Sequence, residues 1–186
     1  MIPTKIPDIL FPEPLLRARV QELGAQISHE FQGTHLSLVT VLKGGFVFLA
    51  DLIRELDLDL TVDFMAISKY QDSAGSSGSV GIEKDLDDSI TNRHVLLVED
   101  IIDTGLTMNY LLGNLKAREP ASISICSLLD RPKRRLADID IRYVGFDVPD
   151  LFVVGYGLDH NGLYRNLPYV GILDPGDIDW SSLKTE

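Results

Sequence analysis

The 186-residue chain contains a single cysteine, Cys126, and few cationic residues. One thiol cannot form an intramolecular disulfide, which is typical of a protein that works in a reducing compartment. Lysine and arginine number 17 against 28 acidic residues, so the net charge is −11. That charge argues against general binding to a phosphate backbone, and we therefore expect no nucleic-acid partner.

Long apolar runs are missing as well. No stretch approaches the ~20 apolar residues that a membrane-spanning helix requires. Prolines interrupt the N-terminal segment MIPTKIPDILFPEP, where a signal peptide would have its apolar core. The four histidines show no ligand spacing, so a structural metal site is not expected. These absences predict a cytoplasmic protein without a membrane partner.

The composition that remains is that of one globular domain. Hydrophobic residues make up 45% of the chain, which is enough for a sizeable core. No internal repeat or linker divides the sequence, so residues 1–186 are predicted to form a single domain. A first helix is predicted from apolar residues at steps of three and four, namely Leu16, Val20, Leu23, Ile27 and Phe31.

Short aliphatic runs alternate with helical patterns along the rest of the chain. This alternation predicts an α/β fold with a parallel sheet. Residues 71–81 are rich in glycine and serine, which predicts a mobile loop, and turns dominate after Gly155. Strands are predicted at residues 37–42, 60–67, 93–98, 122–129, 142–145 and 152–155, and helices after Gly45 and at residues 106–116.

The most informative segment is VLLVEDIIDTGLT, residues 95–107. An aliphatic run, typical of a buried parallel strand, ends in Glu99 and Asp100, and Asp103 follows three residues later. Ligands of open α/β sheets bind beyond the carboxyl ends of the strands. The Thr-Gly turn that comes next can offer backbone N–H groups to a phosphate. Acids beside a phosphate cradle indicate a phosphorylated sugar held with a metal.

This segment resembles the phosphoribosyl-diphosphate (PRPP) signature of the type I phosphoribosyltransferases. Two other segments extend the resemblance. VLKGG, at residues 41–45, is similar to the pyrophosphate loop of the hypoxanthine-guanine phosphoribosyltransferases. LFVVGYGLDHNGLYRNLPYVGIL, at residues 151–173, is similar to their purine-binding hood. The three segments follow the order of the family and together point to its 6-oxopurine branch.

The resemblance implies a fold, a reaction and a cofactor. The fold would be a parallel-sheet phosphoribosyltransferase core of five strands with a small hood, formed largely by residues 156–186 with N-terminal residues. The reaction would transfer 5-phosphoribosyl from PRPP to hypoxanthine or guanine, giving IMP or GMP and pyrophosphate. The cofactor would be Mg²⁺, and we also expect a homodimer or homotetramer.

The signature residues have distinct roles in that family. Glu99 and Asp100 would hold the ribose hydroxyls, directly or through Mg²⁺. Asp103 takes the place of the general base near N7 of the purine, where an N-linked product requires loss of a proton. From sequence position alone, Asp103 is equally well explained as a helix N-cap. The cradle for the 5′-phosphate would be Thr104, Gly105 and Thr107.

Residues outside the signature complete the site that the resemblance implies. The backbone of Lys43 and Gly44 would bind pyrophosphate, and the peptide between them is expected to be cis. Asp159 would hold a second Mg²⁺, and Arg165 would contact the pyrophosphate. Expected around the purine are Phe152, which would stack on it, Val153, whose backbone would read its edge, and Ile101 on the other side.

Two positions depart from the family pattern. The mobile loop usually opens with adjacent serine and tyrosine, whereas here Lys69 separates Ser68 from Tyr70, and Tyr70 is the match that we assign. The family usually places a lysine against the exocyclic oxygen of the purine. This chain has Arg131, a longer and planar cation, and Lys133 two residues later.

Two other functions compete with this interpretation. A PRPP-sensing regulator would keep the fold without catalysis, but such a protein often adds a basic surface, whereas this chain is acidic and keeps its carboxylates. A transferase for pyrimidines or adenine is the other alternative. The hood sequence and the cation that precedes it argue against that alternative.

Overall fold

A computed structural model describes residues 8–69 and 80–173. Within these ranges no helix is long and apolar enough to cross a membrane. The elements, in chain order, are β1 (Asp8–Phe11), α1 (Glu13–Glu30), β2 (Leu36–Leu42), α2 (Phe46–Leu52), β3 (Leu60–Lys69), β4 (Val80–Lys84), β5 (His94–Ile102), α3 (Leu106–Lys116), β6 (Ser122–Asp130), β7 (Tyr143–Asp147), β8 (Val153–Val154) and β9 (Val170–Ile172).

The main sheet has six strands in the order β4-β3-β2-β5-β6-β7. Every neighbouring pair is parallel except β3 and β4, which are antiparallel. The five parallel strands confirm the predicted α/β core. The antiparallel edge strand β4 was not predicted from the sequence.

Alternate residues of the central strand β5 face opposite layers of the core. Leu96 and Val98 join the cluster that α1 covers, whereas Leu97 joins the cluster that α3 covers. Burial on both faces explains why β5 consists of an uninterrupted aliphatic run. The predicted buried residues of the first helix are confirmed, since Leu16, Val20, Leu23, Ile27 and Phe31 are all buried.

A second, three-stranded sheet has the order β1-β9-β8, with both pairs antiparallel. It joins residues near the beginning of the chain to residues beyond 150, so the predicted strand at residues 152–155 belongs to this sheet and not to the main one. Part of the predicted hood, residues 174–186, lies outside the described residues. The assignment of a hood subdomain therefore stays a prediction.

The predicted mobile loop also lies almost wholly outside the described residues. Residues 71–79 are not described, and Val80 and Gly81 already belong to β4. The expectation that this loop is mobile stays a prediction.

Candidate active site

The carboxyl ends of β2 and β5 are neighbours in the sheet, and a cavity of about 380 Å³ lies there. The cavity is built mainly from the backbone that follows β2 and the acidic segment at the end of β5. Its lining residues are Val41, Leu42, Lys43, Gly44, Ile67, Glu99, Asp100, Ile101, Ile102, Asp103, Thr104, Gly105, Thr107 and Met108.

The cavity gathers the residues predicted from the PRPP signature and from the pyrophosphate loop. Sequence reasoning missed its apolar walls, such as Ile67 and Met108, because apolar residues of strands and helices are read as core. A larger cavity, of about 520 Å³, lies between α1, α2 and residues 165–168 and is lined in part by Arg165. The predicted residues that do not line the first cavity are Arg131, Phe152, Val153, Asp159 and Arg165, and Tyr70 is outside the described residues.

It is unfavourable for the adjacent side chains of Glu99 and Asp100 to be charged at the same time. Burial raises the pKa of Glu99, and the neighbouring Asp100 raises it further. Burial also raises the pKa of Asp100 to about 6, although the Ile101 N–H donates to its Oδ1 at 2.8 Å and opposes the shift. Removing two carboxylates from water is costly without a cation or hydroxyl donors, so this pair is suited to hold a ligand that supplies them.

Replacing both acids, by Glu99→Gln with Asp100→Asn, should make the ligand-free protein more stable at pH 8. The folded-state pKa of Asp100 lies above its unfolded value, so the native protein loses stability as the pH rises from about 4 to about 6. A shift of this size corresponds to about 3 kcal/mol for Asp100 alone.

Chemical denaturation of native protein and variant at pH 4 and pH 8 would measure this effect. The difference should be large at pH 8 and small at pH 4. The matched control is Asp138→Asn with Asp140→Asn, which removes two exposed carboxylates. A variant that is less stable than the native protein at pH 8 would contradict the prediction.

Gly44 lies directly against the acid pair. A Cβ atom at this position would be 1.7 Å from Asp100 Oδ2. From the other side, a Cβ on Gly157, whose φ is +100°, would be 2.2 Å from the Gly44 carbonyl oxygen. The backbone after β2 therefore lies between the acids and the loop that contains Gly157.

The cis peptide of this segment is Leu42–Lys43. The expectation of a cis bond between Lys43 and Gly44 is wrong, because the cis bond lies one residue earlier. Nothing in the residue types at these positions distinguishes the two bonds.

The turn at Thr104 and Gly105, which is predicted to bind the 5′-phosphate and is called the phosphate turn below, is held in place by the segment after β6. The Thr104 carbonyl accepts N–H bonds from Leu136 at 2.8 Å and Ala137 at 3.1 Å. Gly105 has a φ of 79° and is the N-cap of α3. A Cβ at Gly105 would be 3.0 Å from the Arg135 side chain, so this position needs glycine for both its conformation and its space.

Asp103 is not the helix N-cap, since Gly105 occupies that position. Its carboxylate lies instead between two guanidinium groups. Arg134 Nε is 3.2 Å from Asp103 Oδ1, and Arg131 Nη1 is 3.7 Å from Asp103 Oδ2. Sequence reasoning named Arg131 but missed Arg134. The available signal was the cationic run RPKRR directly after β6.

Arg131 itself is buried, with 9% of its surface exposed. Its Nη2 donates to the Leu151 carbonyl. Among the described residues its Nε has no hydrogen-bond partner. A buried cation with a spare donor is suited to a ligand that presents an acceptor oxygen.

Phe152 is 41% exposed and therefore not a core residue. Its ring meets the His160 ring edge to face, with 5.1 Å between centroids. Val153 is buried in β8, and Ile101 lines the cavity. An aromatic ring that is 41% exposed is suited to stack on a flat ligand.

Asp159 and Arg165 form an ion pair at 2.6 Å. Arg165 Nη1 donates to the Gly157 carbonyl at 2.6 Å, and Asp159 Oδ2 accepts the Gly162 N–H at 2.7 Å. Both charges act on the pKa of Asp100, which Arg165 lowers and Asp159 raises. Within residues 8–69 and 80–173 no group of three His, Cys, Asp or Glu side chains comes together as a metal site.

The sequence is similar to those of known phosphoribosyltransferases. The model of the phosphoribosyl transferase domain family matches residues 8–161. The hypoxanthine-guanine phosphoribosyltransferase of Bacillus subtilis is 49% identical over 94% of this chain and 97% of its own length. That of Mycobacterium avium is 47% identical over 94% of this chain and 89% of its own length.

Solved structures show the same likeness. A Bacillus anthracis hypoxanthine-guanine phosphoribosyltransferase superposes with a TM-score of 0.87 at 44% identity, covering 91% of this chain and 100% of the other. A mutant Trypanosoma cruzi hypoxanthine phosphoribosyltransferase, in a ternary substrates complex, gives a TM-score of 0.85 at 38% identity, covering 90% and 95%. The chain belongs to the hypoxanthine-guanine phosphoribosyltransferase family of phosphoribosyltransferases.

Proposed function

We propose that this protein transfers the 5-phosphoribosyl group of PRPP to hypoxanthine or guanine, yielding IMP or GMP and pyrophosphate in purine salvage. The observation that carries the proposal is the cavity at the carboxyl ends of β2 and β5. It brings together the acid pair, the phosphate turn, Asp103 and the Lys43–Gly44 backbone after β2. The relatives from Bacillus subtilis and Mycobacterium avium are named hypoxanthine-guanine phosphoribosyltransferases, and these comparisons give no support to the regulatory alternative.

PRPP would occupy the floor of the cavity. The turn of Thr104, Gly105 and Thr107 would bind the 5′-phosphate through backbone N–H groups and hydroxyls. Glu99 and Asp100 would accept hydrogen bonds from the ribose hydroxyls. These bonds would relieve the burial of the two carboxylates.

Pyrophosphate would lie along the backbone of Lys43 and Gly44. Arg165 would contact it once the ion pair with Asp159 opens. Bond breaking places positive charge on C1′ and negative charge on the leaving group, so donors that are already fixed in place stabilise the transition state.

The donor set of the site fits Mg²⁺. This ion is commonly bound through one or two carboxylates together with substrate phosphates and waters, not in a protein cage. Glu99 and Asp100 are the residues that would hold one such ion, and Asp159 would hold a second. When bound, Mg²⁺ would neutralise charge on PRPP and on the departing pyrophosphate.

The purine would be placed between Asp103 and the β8 segment. Phe152 would stack on one face, Ile101 would flank the other, and the Val153 backbone would read the edge. Asp103 would accept the proton at N7, and Arg131 would donate to the C6 oxygen. Tyr70, from the loop outside the described residues, would contact PRPP. We further propose a cytoplasmic homodimer or homotetramer.

The direct test is incubation of the pure protein with PRPP, Mg²⁺ and each nucleobase, with chromatography of the nucleotides. We expect IMP and GMP to form together with equal amounts of pyrophosphate. A reaction without PRPP and one with a chelator serve as controls. No nucleotide from either 6-oxopurine would contradict the proposal.

Replacing both acids should also weaken Mg-PRPP binding strongly, although the ligand-free protein is expected to be more stable. Calorimetric titration of Glu99→Gln with Asp100→Asn would measure this loss of affinity. Mg-PRPP affinity equal to that of the native protein would exclude the two carboxylates from the ribose and metal site.

Gly44→Ala should lower both stability and Mg-PRPP affinity. The new methyl group would overlap Asp100 Oδ2, and overpacking of this kind costs about 1–3 kcal/mol. The control is Gly113→Ala in α3, where a Cβ meets nothing within 4 Å and alanine is expected to stabilise the helix. Thermal unfolding and calorimetric titration measure the two effects, and similar behaviour of the two variants would contradict the assigned position of Gly44.

A further inference from the structure

Arg134 connects two segments that the main sheet does not hold together directly. Its Nε lies 3.2 Å from Asp103 Oδ1, and its Nη1 lies 3.3 Å from Asp150 Oδ1. Asp103 follows β5 and Asp150 follows β7, and β6 separates these strands in the sheet. Strand pairing therefore relates the two carboxylates only indirectly, through β6.

Arg131 makes a second connection beside the first. Its guanidinium lies 3.7 Å from Asp103 and donates to the Leu151 carbonyl. The two arginines thus link Asp103 to consecutive residues, Asp150 and Leu151, immediately before Phe152. Arg131 is buried, whereas the Arg134 side chain is 45% exposed, so Arg134 can be replaced without opening a cavity in the core.

We propose that Arg134 is a positioning residue, which holds the Asp103 carboxylate in register with the Asp150–Phe152 segment. This inference rests on the proposed function, in which Asp103 takes a proton from the purine that Phe152 stacks upon. Arg134 touches neither substrate in this arrangement. Its effect is to set the distance between Asp103, which accepts the proton, and Phe152, which stacks on the purine.

Because Arg134 contacts residues that are proposed to serve the purine, Arg134→Met should impair the reaction of hypoxanthine more than the binding of PRPP. A displacement of about 1 Å at a reacting group can lower a rate about 10²-fold, while exposed ion pairs themselves contribute at most about fivefold. We expect a loss of about tenfold in kcat/KM for hypoxanthine, between these bounds. The KM for PRPP should stay within about twofold, because the phosphate turn is held by other bonds.

Two more variants separate positioning from a general structural role. Arg134→Lys retains a cation but lacks the planar guanidinium that contacts both carboxylates, so its activity should lie between those of Arg134→Met and the native protein. Asp150→Asn should raise the KM for hypoxanthine in the native background and have no further effect when Arg134 is already methionine. Additive effects of the two substitutions would overturn the proposed link.

The control is Arg118→Met, which breaks an Arg–Asp ion pair with Asp85 at 2.8 Å, away from the cavity. Hydrogen exchange of residues 149–153 in the ligand-free protein gives a readout without any substrate, and it should be faster in Arg134→Met than in Arg118→Met. If the native protein is fully active and the two variants have equal exchange and equal kcat/KM, the role of Arg134 is overturned and the proposed function is not. A native protein that forms no nucleotide would overturn the proposed function and this role together.

Discussion

Replacing Asp103 with asparagine is expected to lower turnover by about 10²–10⁴-fold, the usual loss when a general base is removed. The purine must lose a proton as its bond to C1′ forms, and Asp103 is the carboxylate that lines the cavity without belonging to the acid pair. Asparagine keeps the size of the side chain but accepts a proton poorly. The fold and PRPP affinity should be unaffected.

Single-turnover experiments with saturating PRPP would separate the chemical step from product release. Asp140→Asn removes an exposed carboxylate and should behave as the native protein does. A single-turnover rate of Asp103→Asn near that of the native protein would exclude Asp103 as the base. A clear loss of thermal stability in Asp103→Asn would indicate a structural role instead.

The strands of the parallel core could be predicted because burial on both faces leaves a clear sequence signal. β2, β5 and β6 are such strands, and their aliphatic runs were recognised within a few residues of their true ends. β5 was predicted to end at residue 98, yet it continues through the acids to Ile102. Polar residues at a functional strand end mask the strand signal.

Three short strands, β1, β4 and β9, could not be predicted from the local sequence. β1, near the start of the described residues, pairs with β9, near their end. Neither segment has the length or the alternation that marks a strand by itself. β4 is stabilised by pairing with β3. In each case the partner strand, and not local propensity, determines the structure.

In the site, too, some features could be predicted from the local sequence and others could not. Each acid and glycine of the cavity could be named from local motifs, but their contacts could not. The approach of Gly44 to Asp100 joins segments on two neighbouring strands. The contact of Asp103 with Arg134 depends on the turn after β6, which brings Arg134 back to the segment after β5.

The native protein should use hypoxanthine and guanine in strong preference to adenine because of Arg131. Hypoxanthine and guanine carry an acceptor oxygen at C6, whereas adenine presents an amino donor there. Arginine offers only donors and stays protonated, and Arg131 is 9% exposed with its Nε unpartnered among the described residues. Adenine would leave this buried cation facing another donor.

Sites built around such a hydrogen bond can reject the wrong partner by about 10⁴–10⁵-fold, so we expect a ratio of this order between hypoxanthine and adenine. Arg131→Met should lose most of that ratio through lower kcat/KM for hypoxanthine. Arg131→Lys, which restores the residue usual in the family, should retain it.

The measurement is kcat/KM for hypoxanthine, guanine, xanthine and adenine with each protein. Xanthine also has a C6 oxygen, so Arg131 gives no reason for its rejection. Lys133 is another cation of the same run, but it is exposed, and Lys133→Met should leave the ratio unchanged. A native protein that uses adenine as well as hypoxanthine would overturn the purine assignment. If Lys133→Met loses the preference while Arg131→Met keeps it, the C6 oxygen is read by Lys133, because only the residue that donates to that oxygen can distinguish it from an amino group.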